Sequence, residues 1–243
     1  MSIVRSALHS LGELVWPRDC LLCDAAMPPE PSSVCLCPAC RTAIGSDPFS
    51  TCPRCASSIG PHIPDSEDCP RCRTEKFHFA SAQRLGVYDG RLRDAVLKIK
   101  NPGQEMLAES LGLFWGGRSR DRLLHSDPQV VVPVPLHWRR RWSRGFNQSD
   151  SLARGVATAL NLPMAVGALR RIRATPSQTS QTPAERRKNV VGAFAAGPWT
   201  RVKRSRILLI DDVLTTGATS DAATVALLAS GAAQVDVAVL AHR

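Results

Sequence analysis

The 243-residue sequence lacks long apolar runs and the common nucleotide-binding motifs. No apolar stretch approaches the ~18 residues that a membrane-spanning helix needs, so no membrane insertion is expected. Neither the G-x-G-x-x-G fingerprint of dinucleotide-binding folds nor the G-x-x-x-x-G-K-[ST] loop of nucleoside-triphosphate-binding proteins is present. The segment from Cys20 to Cys72 has one phenylalanine and no tryptophan. A segment so poor in core residues is not expected to fold without a bound metal ion.

Basic residues are in excess, with a net charge of +10 and a pI of about 9.6. An anionic partner is therefore expected, such as a nucleotide, pyrophosphate or nucleic acid. The first residues, MSIVRSALHSLGELVWP, have apolar side chains on a helical period, include Glu13 and have no small-residue cleavage site after them. They predict a short amphipathic helix that packs on the protein rather than a signal peptide. A cytoplasmic location follows from this interpretation, and the cysteine pattern agrees with it.

All nine cysteines lie between Cys20 and Cys72, and eight of them form four C-x-x-C pairs. The pairs recur at an interval of 32 residues, which indicates a duplicated unit with two pairs in each half. One C-x-x-C turn places two thiolates on a metal ion, and two such turns complete a tetrahedral zinc site. A closed four-thiolate site has no position for a substrate, so the predicted zinc is structural. The predicted ligands are Cys20, Cys23, Cys37, Cys40, Cys52, Cys55, Cys69 and Cys72.

The spacing of the cysteine pairs allows more than one pairing. Sequential pairing predicts two Zn²⁺ ions, one for each half, but a cross-braced pairing satisfies the same spacing. Disulfides are the alternative to zinc, and the expected cytoplasmic location argues against them. A redox function would need only one C-x-x-C pair. The ninth cysteine, Cys35, could replace Cys37 as a ligand but has no counterpart in the second half.

Beyond residues 77–80 the cysteines end, and predicted strands alternate with predicted helices. Strands are predicted at residues 83–88, 130–134, 165–169, 207–210 and 235–240. Helices are predicted at residues 91–100, 104–115, 148–160 and 219–230, with Gly231 ending the last one. This alternation predicts an α/β fold with a parallel, doubly wound sheet, whose ligand lies at the carboxyl ends of the strands. The polar stretch at residues 175–188 is expected to be a mobile loop.

The motif ILLIDDVLTTGAT, at residues 207–219, contains the clearest chemical signal. Four apolar residues predict a buried strand, Asp211 and Asp212 follow, and a hydroxyl-rich loop leads into a helix. Amides at the N-terminus of a helix can cradle a phosphate, and carboxylates just behind them can hold ribose hydroxyls. Receiver domains also have an acidic pair after a strand, but there the pair lies early in the domain. The motif therefore predicts a site for a phosphorylated sugar, with a loop formed by Thr215, Thr216, Gly217, Ala218 and Thr219.

Two further segments are rich in arginine. In VPVPLHWRRRWSRGFNQSD, residues 132–150, a predicted strand end is followed by a predicted loop with four arginines. Guanidinium groups suit pyrophosphate, whereas the interleaved Trp138 and Trp142 would also suit single-stranded nucleic acid. Arg171 and Arg173 lie near the start of the predicted mobile loop, which could close over a highly charged substrate. A solvated basic loop and a flexible linker are the alternatives for these two segments.

The motif ILLIDDVLTTGAT resembles the phosphoribosyl-pyrophosphate (PRPP) signature of the type I phosphoribosyltransferases. Over nearly its full length, the sequence resembles the ComF family of competence-related proteins. After the cysteine pairs come, in family order, VYDGRLRDAVLKIK, VPVPLHWRRRWSRGFNQ, LRRIRATPSQT, ERRKNVVGAF and the signature. Ile99 is a departure, since an aromatic residue is common there. The resemblance implies a type I phosphoribosyltransferase fold at residues 79–243, preceded at residues 1–78 by the amphipathic helix and a small domain with a double zinc ribbon.

The same resemblance implies roles for individual residues. Asp211 and Asp212 would hold the ribose 2′- and 3′-hydroxyls, often through Mg²⁺, and are the candidate catalytic residues. The loop at residues 215–219 would hold the 5′-phosphate, and residues 136–144 fall where the family has its pyrophosphate loop. The remaining candidate PRPP-binding residues are Leu136, His137, Arg139, Arg144, Arg171 and Arg173.

The expected function is PRPP binding, with phosphoribosyl transfer to an unknown acceptor, linked to DNA uptake or use. The family's association with single-stranded DNA gives an alternative, a nucleic-acid-binding competence factor with a non-catalytic PRPP pocket. The two are compatible, because a basic loop can contact either pyrophosphate or a DNA backbone. A third hypothesis is an assembly protein whose zinc ribbons dock a helicase or a protein of the uptake machinery.

Overall fold

The computed structural model describes residues 19–28, 32–60, 69–173, 189–197 and 202–243, without the side chains of residues 139 and 140. The predicted amphipathic helix and residues 175–188 of the predicted mobile loop lie outside the described residues. Among the helices of these ranges, none combines the length and the apolar character needed to cross a bilayer.

The cysteine-rich part is built from short elements. They are helix α1 (Pro38–Gly45), the antiparallel strands β1 (Ser50–Thr51) and β2 (Ser58–Ile59), and helix α2 (Pro70–Thr74). Both helices begin with a proline. This residue lacks a backbone N–H, but an N–H in the first turn of a helix has no acceptor within the helix, so no hydrogen bond is lost. Cys37 and Cys69 are the residues that precede them. Each helix therefore starts directly from a cysteine of the repeat.

A four-stranded parallel sheet forms the centre of the rest of the chain. Its strands are β3 (Ser81–Val87), β4 (Val130–Pro133), β7 (Arg206–Leu214) and β8 (Gln234–His242), in the order β3-β8-β7-β4. A separate antiparallel pair consists of β5 (Leu169–Arg171) and β6 (Phe194–Ala196). Beyond β4, a single parallel bridge joins Val131 to Met164.

Helices cover both faces of this sheet. They are α3 (Gly90–Lys98), α4 (Glu105–Arg118), α5 (Arg120–Leu124), α6 (Trp138–Arg144), α7 (Gln148–Leu160) and α8 (Ala218–Ala229). Along β7, Leu208 and Ile210 are buried in the core shared with α3, α4 and α7, whereas Ile207 and Leu209 are buried in the core shared with α8. A strand buried on both faces needs an uninterrupted apolar run, which the sequence provides here. The predicted α/β fold with a parallel, doubly wound sheet is confirmed.

Helices α4 and α7 cross in unusually close contact. A Cβ atom built on Gly112 would lie 2.2 Å from the carbonyl oxygen of Leu152, and one on Gly155 would lie 2.1 Å from that of Glu109. Two glycines therefore allow the helix backbones to touch. The crossing fixes α7, whose first residues, Gln148 and Ser149, reach the carboxyl end of the sheet.

Three elements differ from their prediction. Strand β7 continues through Asp211 and Asp212 to Leu214, because β8 pairs alongside it as far as His242. The arginine-rich segment after β4 is the helix α6 rather than a loop, and arginine has a high helix propensity. In the region of the predicted strand at residues 165–169, the chain makes the Met164 bridge and then β5. The prediction for Gly231 is confirmed, since it follows α8 with a φ of +98°.

Candidate functional site

Asp211 and Asp212 lie where β7 extends beyond its neighbour β4. The last β4 residue in register is Pro133, opposite Ile210, so the two carboxylates lie past the end of that strand. Both side chains are buried, and backbone amides hold them: the N–H of Asp212 donates to Asp211 Oδ1 (2.9 Å), and the N–H of Val213 donates to Asp212 Oδ1 (2.8 Å). The pair is therefore fixed at the carboxyl end of the sheet, where α/β proteins bind their ligands.

The two carboxylates have different partners. Ser149 Oγ donates to Asp211 Oδ1 (3.2 Å), whereas Asp212 Oδ2 accepts from Gln148 Nε2 (3.3 Å) and pairs with Lys100 Nζ (3.1 Å). Burial, and then the charge of Asp212, raises the pKa of Asp211. Burial acts on Asp212 in the same direction, but the Lys100 ammonium and the hydrogen bonds from Gln148 and the Val213 N–H together lower the pKa of Asp212. A proton on the pair is therefore held more readily by Asp211 than by Asp212.

The loop at residues 215–219 leads from β7 into α8. Gly217 precedes the helix with a φ of +75°, a conformation that favours glycine, and Thr216 Oγ1 accepts from the N–H of Ala218 (3.4 Å). The N-terminus of this 12-residue helix adds the positive end of its dipole. The loop can therefore bind an anion through its amides and hydroxyls.

The carboxylates and the loop share one cavity of about 650 Å³. A cavity of this size can hold a nucleotide or a sugar phosphate. Four cationic side chains face the two carboxylates around it, which gives the lining a net positive charge. The lining residues are Tyr88, Leu97, Lys100, Val134, Pro135, Leu136, Arg144, Gln148, Ser149, Arg171, Asp211, Asp212, Val213, Thr215, Thr219 and Arg243.

The structure brings together many of the residues that the sequence singles out. Those that line the cavity are Asp211, Asp212, Thr215, Thr219, Leu136, Arg144 and Arg171. Thr216, Gly217 and Ala218 belong to the same loop without lining the cavity, and the His137 side chain is buried. Arg173 is exposed and donates to the carbonyl oxygens of Asn189 (2.9 Å) and Val191 (2.6 Å). The Arg139 side chain is not among those described.

Lys100, Gln148 and Ser149 contact the carboxylates but were missed from the sequence. Gln148 and Ser149 begin α7, directly after the Asn147 cap, whose side chain accepts from the N–H of Ser149 (3.3 Å). Their position beside Asp211 and Asp212 depends on β4 and β7 being neighbours in the sheet, since the segments after neighbouring parallel strands meet at one edge. Lys100 is harder to identify from the sequence, because it belongs to no motif and simply follows the end of α3.

The cysteines form two separate clusters, paired sequentially. One consists of Cys20, Cys23, Cys37 and Cys40 and the other of Cys52, Cys55, Cys69 and Cys72, with all sulfurs of a cluster within 4.8 Å of one another. The separations are 3.7 Å for Cys23–Cys37, 3.8 Å for Cys52–Cys72 and 3.6 Å for Cys55–Cys69. A tetrahedron with Zn–S bonds of ~2.3 Å has edges of about 3.8 Å, so both clusters fit a tetrahedral metal ion. Cys35 lies in neither cluster, and its N–H donates to Ser110 Oγ (2.7 Å).

The fold and its sites define an α/β protein with a polar cavity at the carboxyl ends of parallel strands and two four-cysteine clusters that could each hold a metal ion. The chain is 31% identical to "DNA utilization protein YhgH" of Salmonella typhi over 231 residues, which covers 92% of this chain and 96% of that protein. It is 30% identical to the protein of the same name from Escherichia coli K12 over 228 residues, with the same coverage. It is 27% identical to "Competence protein F" of Haemophilus influenzae over 215 residues, 83% of this chain and 88% of that protein. The chain belongs to the ComF family, which includes these proteins.

No protein-family model matches the chain. Two solved structures are each 25% identical to it, with a TM-score of 0.34, over 54% of this chain. They are an allosteric regulatory enzyme of purine biosynthesis and glutamine PRPP amidotransferase from B. subtilis. The matched region spans 25% of each of those chains. The fold of this chain is assigned from its own strand order and not from these two matches.

Proposed function

We propose that the chain binds PRPP with Mg²⁺ in the 650 Å³ cavity and transfers its phosphoribosyl group to an acceptor that is still to be identified. The observation that supports this most is that Asp211, Asp212 and the 215–219 loop open into one cavity. A ribose 5-phosphate needs both features at once, an anion site for its phosphate and acceptors for its hydroxyls.

Each part of the ligand has a matching group in the cavity. The 215–219 loop and the N-terminus of α8 suit the 5′-phosphate, and Arg144 and Arg171 suit the pyrophosphate. Arg144 Nη1 donates to Gln148 Oε1 (2.5 Å), and Gln148 donates to Asp212, so the arginine is linked to the acidic pair. Carboxylate oxygens are the ligands that Mg²⁺ prefers, so Asp211 and Asp212 fit a role in holding it.

In the proposed reaction, the bond between C1′ and the pyrophosphate oxygen breaks, and its electron pair leaves with the pyrophosphate. A lone pair of the acceptor forms the new bond to C1′. Positive charge develops on the ribosyl carbon, and Asp211 and Asp212 stabilise it, while the arginines stabilise the leaving group. Bound Mg²⁺ would further neutralise the charge of the pyrophosphate.

Calorimetry with PRPP·Mg²⁺ tests this proposal, followed by assays of pyrophosphate release with candidate acceptors. Asp212→Asn should lower PRPP affinity or turnover by about 10²–10³-fold, because it removes a preorganised charge. Asp94→Asn is a matched control, since this exposed carboxylate on α3 lies outside the cavity lining. Equal affinity and turnover in Asp212→Asn and the control would contradict the proposal.

Helix α6 favours a second function, the binding of single-stranded nucleic acid. Trp138 and Trp142 are 57% and 83% exposed, and the Arg141 side chain lies between them in sequence and is 60% exposed. Stacking of a base on an aromatic ring contributes ~1–3 kcal/mol to binding. The names of the relatives also refer to competence and DNA utilization. We infer that this helix contacts DNA beside the cavity.

Titration with a fluorescent oligonucleotide at several salt concentrations tests the DNA-binding function. Trp142→Ala should weaken binding about tenfold, because it removes one stacking surface. Phe49→Ala is a suitable control, since Phe49 is a 53% exposed aromatic residue of the cysteine-rich part. Affinity that does not fall with salt would count against contact with the phosphate backbone.

We also propose that the two cysteine clusters hold structural Zn²⁺, and that residues 1–78 and 79–243 are the two domains. Thiolate clusters of this kind persist in a reducing compartment, which supports a cytoplasmic location. Measurement of two zinc ions per chain would support the assignment, whereas one or none would contradict it.

A further inference from the structure

The segment at residues 71–78, which begins inside the second cysteine cluster, contacts the 215–219 loop and α8 at three points. Arg71 Nη2 donates to the carbonyl oxygen of Thr215 (2.7 Å), at the start of the loop. The Phe77 ring lies against Gly217, where an added Cβ would be 2.8 Å from Cε1 of the ring. The N–H of His78 donates to Asp221 Oδ1 (2.6 Å), in the first turn of α8. One short segment therefore braces the whole loop from outside the cavity.

Arg71 is itself held on several sides. It lies in α2 between Cys69 and Cys72, and its side chain is only 17% exposed. Its guanidinium pairs with Glu75 (3.2 Å) and lies 5.3 Å from the centre of the Phe77 ring. Nη1 also contacts His242 Nε2 (2.6 Å), at the end of β8. A guanidinium with this many partners has a fixed direction, so its bond to Thr215 is well defined.

The first cysteine cluster has a different position. The carbonyl oxygen of Leu22, between two of its cysteines, accepts from Lys98 Nζ (3.3 Å) on α3. Nearby, the N–H of Cys35 donates to Ser110 on α4. The contacts described for this cluster thus involve helices that cover the sheet rather than the 215–219 loop.

We infer that Arg71 is a positioning residue that couples the second cysteine cluster to the 215–219 loop. The closed cluster fixes α2, α2 fixes Arg71, and Arg71 holds the carbonyl of Thr215. The loop then keeps the conformation in which it opens into the cavity. This inference rests on the proposed function only in that the loop is taken to bind the 5′-phosphate. It makes sugar-phosphate affinity dependent on the second cluster, and Arg71 is the side chain of α2 that carries this dependence.

The test compares Arg71→Ala and Arg71→Lys in the full chain, with Arg73→Ala as the matched control. Arg73 is an exposed arginine of the same helix. Three quantities are measured: zinc per chain, amide hydrogen exchange of residues 215–219 without ligand, and affinity for ribose 5-phosphate and for pyrophosphate separately. Pyrophosphate serves as the internal reference, because its proposed partners are Arg144 and Arg171 rather than the loop.

Arg71→Ala should keep both zinc ions, speed exchange in the loop about tenfold and weaken ribose 5-phosphate binding about tenfold or more, with pyrophosphate binding unchanged. Arg71→Lys should be intermediate, because an ammonium can donate to Thr215 but lacks the fork that also reaches His242. Arg73→Ala should match the wild type in all three measurements.

Unchanged loop exchange and unchanged ribose 5-phosphate affinity in Arg71→Ala would overturn the inference. Loss of zinc, or an equal loss of affinity for both ligands, would also overturn it, since either result indicates a general structural role. If the wild type binds neither ligand, the proposed function fails, but the exchange measurements still decide whether Arg71 positions the loop.

Discussion

The two cysteine repeats have the same cysteine spacing, but their contacts with the parallel sheet and its helices differ. In the first repeat, Cys20, Leu22 and Ile44 are buried in the apolar core that also contains residues of α3 and α4. In the second repeat, arginines occupy the positions that correspond to Leu22 and Ala39 of the first, namely Arg54 and Arg71. The cysteine spacing thus determines the four-cysteine cluster, whereas the residues between the cysteines contribute to how each repeat docks.

The second repeat buries Ala56 in the core shared with α8, and it also has polar contacts at backbone carbonyls. Arg54 donates to the carbonyl oxygens of Phe77 (2.6 Å), Phe79 and Ala80 (2.8 Å). From the sheet side, the buried Arg84 of β3 donates to the carbonyl oxygen of Ala56 (3.0 Å). Hydrogen bonds are directional and apolar contacts are not, so the second repeat is held in a defined orientation beside the 215–219 loop.

The largest expected effect comes from removing one cysteine of each cluster. Cys40→Ser should lose one of two zinc ions and lower the melting temperature by about 10 °C, because Cys40 is part of the main apolar core. Cys72→Ser should also lose one zinc ion but mainly weaken ribose 5-phosphate binding, because its cluster adjoins the loop. Metal analysis, thermal unfolding and calorimetry distinguish the two. If the two variants lower the melting temperature and the ribose 5-phosphate affinity by equal amounts, the second repeat has no special effect on the 215–219 loop.

An intermediate effect is expected at Arg84, which connects β3 to Ala56 and Ser58 of the second repeat and to Asp47, which precedes that repeat. Its Nε donates to Asp47 Oδ2 (2.8 Å), and the Arg84 side chain is 1% exposed. Arg84→Met should lower the free energy of unfolding by about 3 kcal/mol, because it leaves Asp47 without its buried partner. Urea unfolding measures the change, with Arg91→Met on the exposed side of α3 as the control. A result within the range of the control would mean that the polar contacts of Arg84 contribute little and that apolar packing holds the second repeat.

The smallest effect is expected at the ion pair of the first repeat. Lys98 Nζ lies 3.5 Å from Asp24 Oδ1, but the Asp24 side chain is 81% exposed. Exposed ion pairs of this kind contribute ~0–1 kcal/mol, so Asp24→Asn should leave the unfolding midpoint almost unchanged. Asparagine also tolerates the φ of +59° at this position. A larger loss of stability would show that the first repeat, too, depends on polar docking.

Local patterns in the sequence were sufficient to predict the parallel sheet and the eight cysteines that form the two clusters. The apolar run before Asp211 marks a buried strand, and the 32-residue interval of the cysteines marks the repeat. Arg71, Lys100 and Gln148 were not predicted to act at the site, because their neighbours depend on the strand order and on how the second repeat docks. The sequence also left open which C-x-x-C pairs share a cluster. Only the three-dimensional arrangement distinguishes the sequential from the cross-braced pairing.

The crossing of α4 and α7 has a consequence for the shape of the cavity. Gly155 lies two turns along α7 from Gln148, and a helix transmits a displacement along its length as a nearly rigid rod. A methyl group at Gly112 or Gly155 would force the rod away from α4 and carry Gln148 and Ser149 to a new position relative to the acidic pair. The two glycines, which do not line the cavity, thus set the distance between the first turn of α7 and the acidic pair.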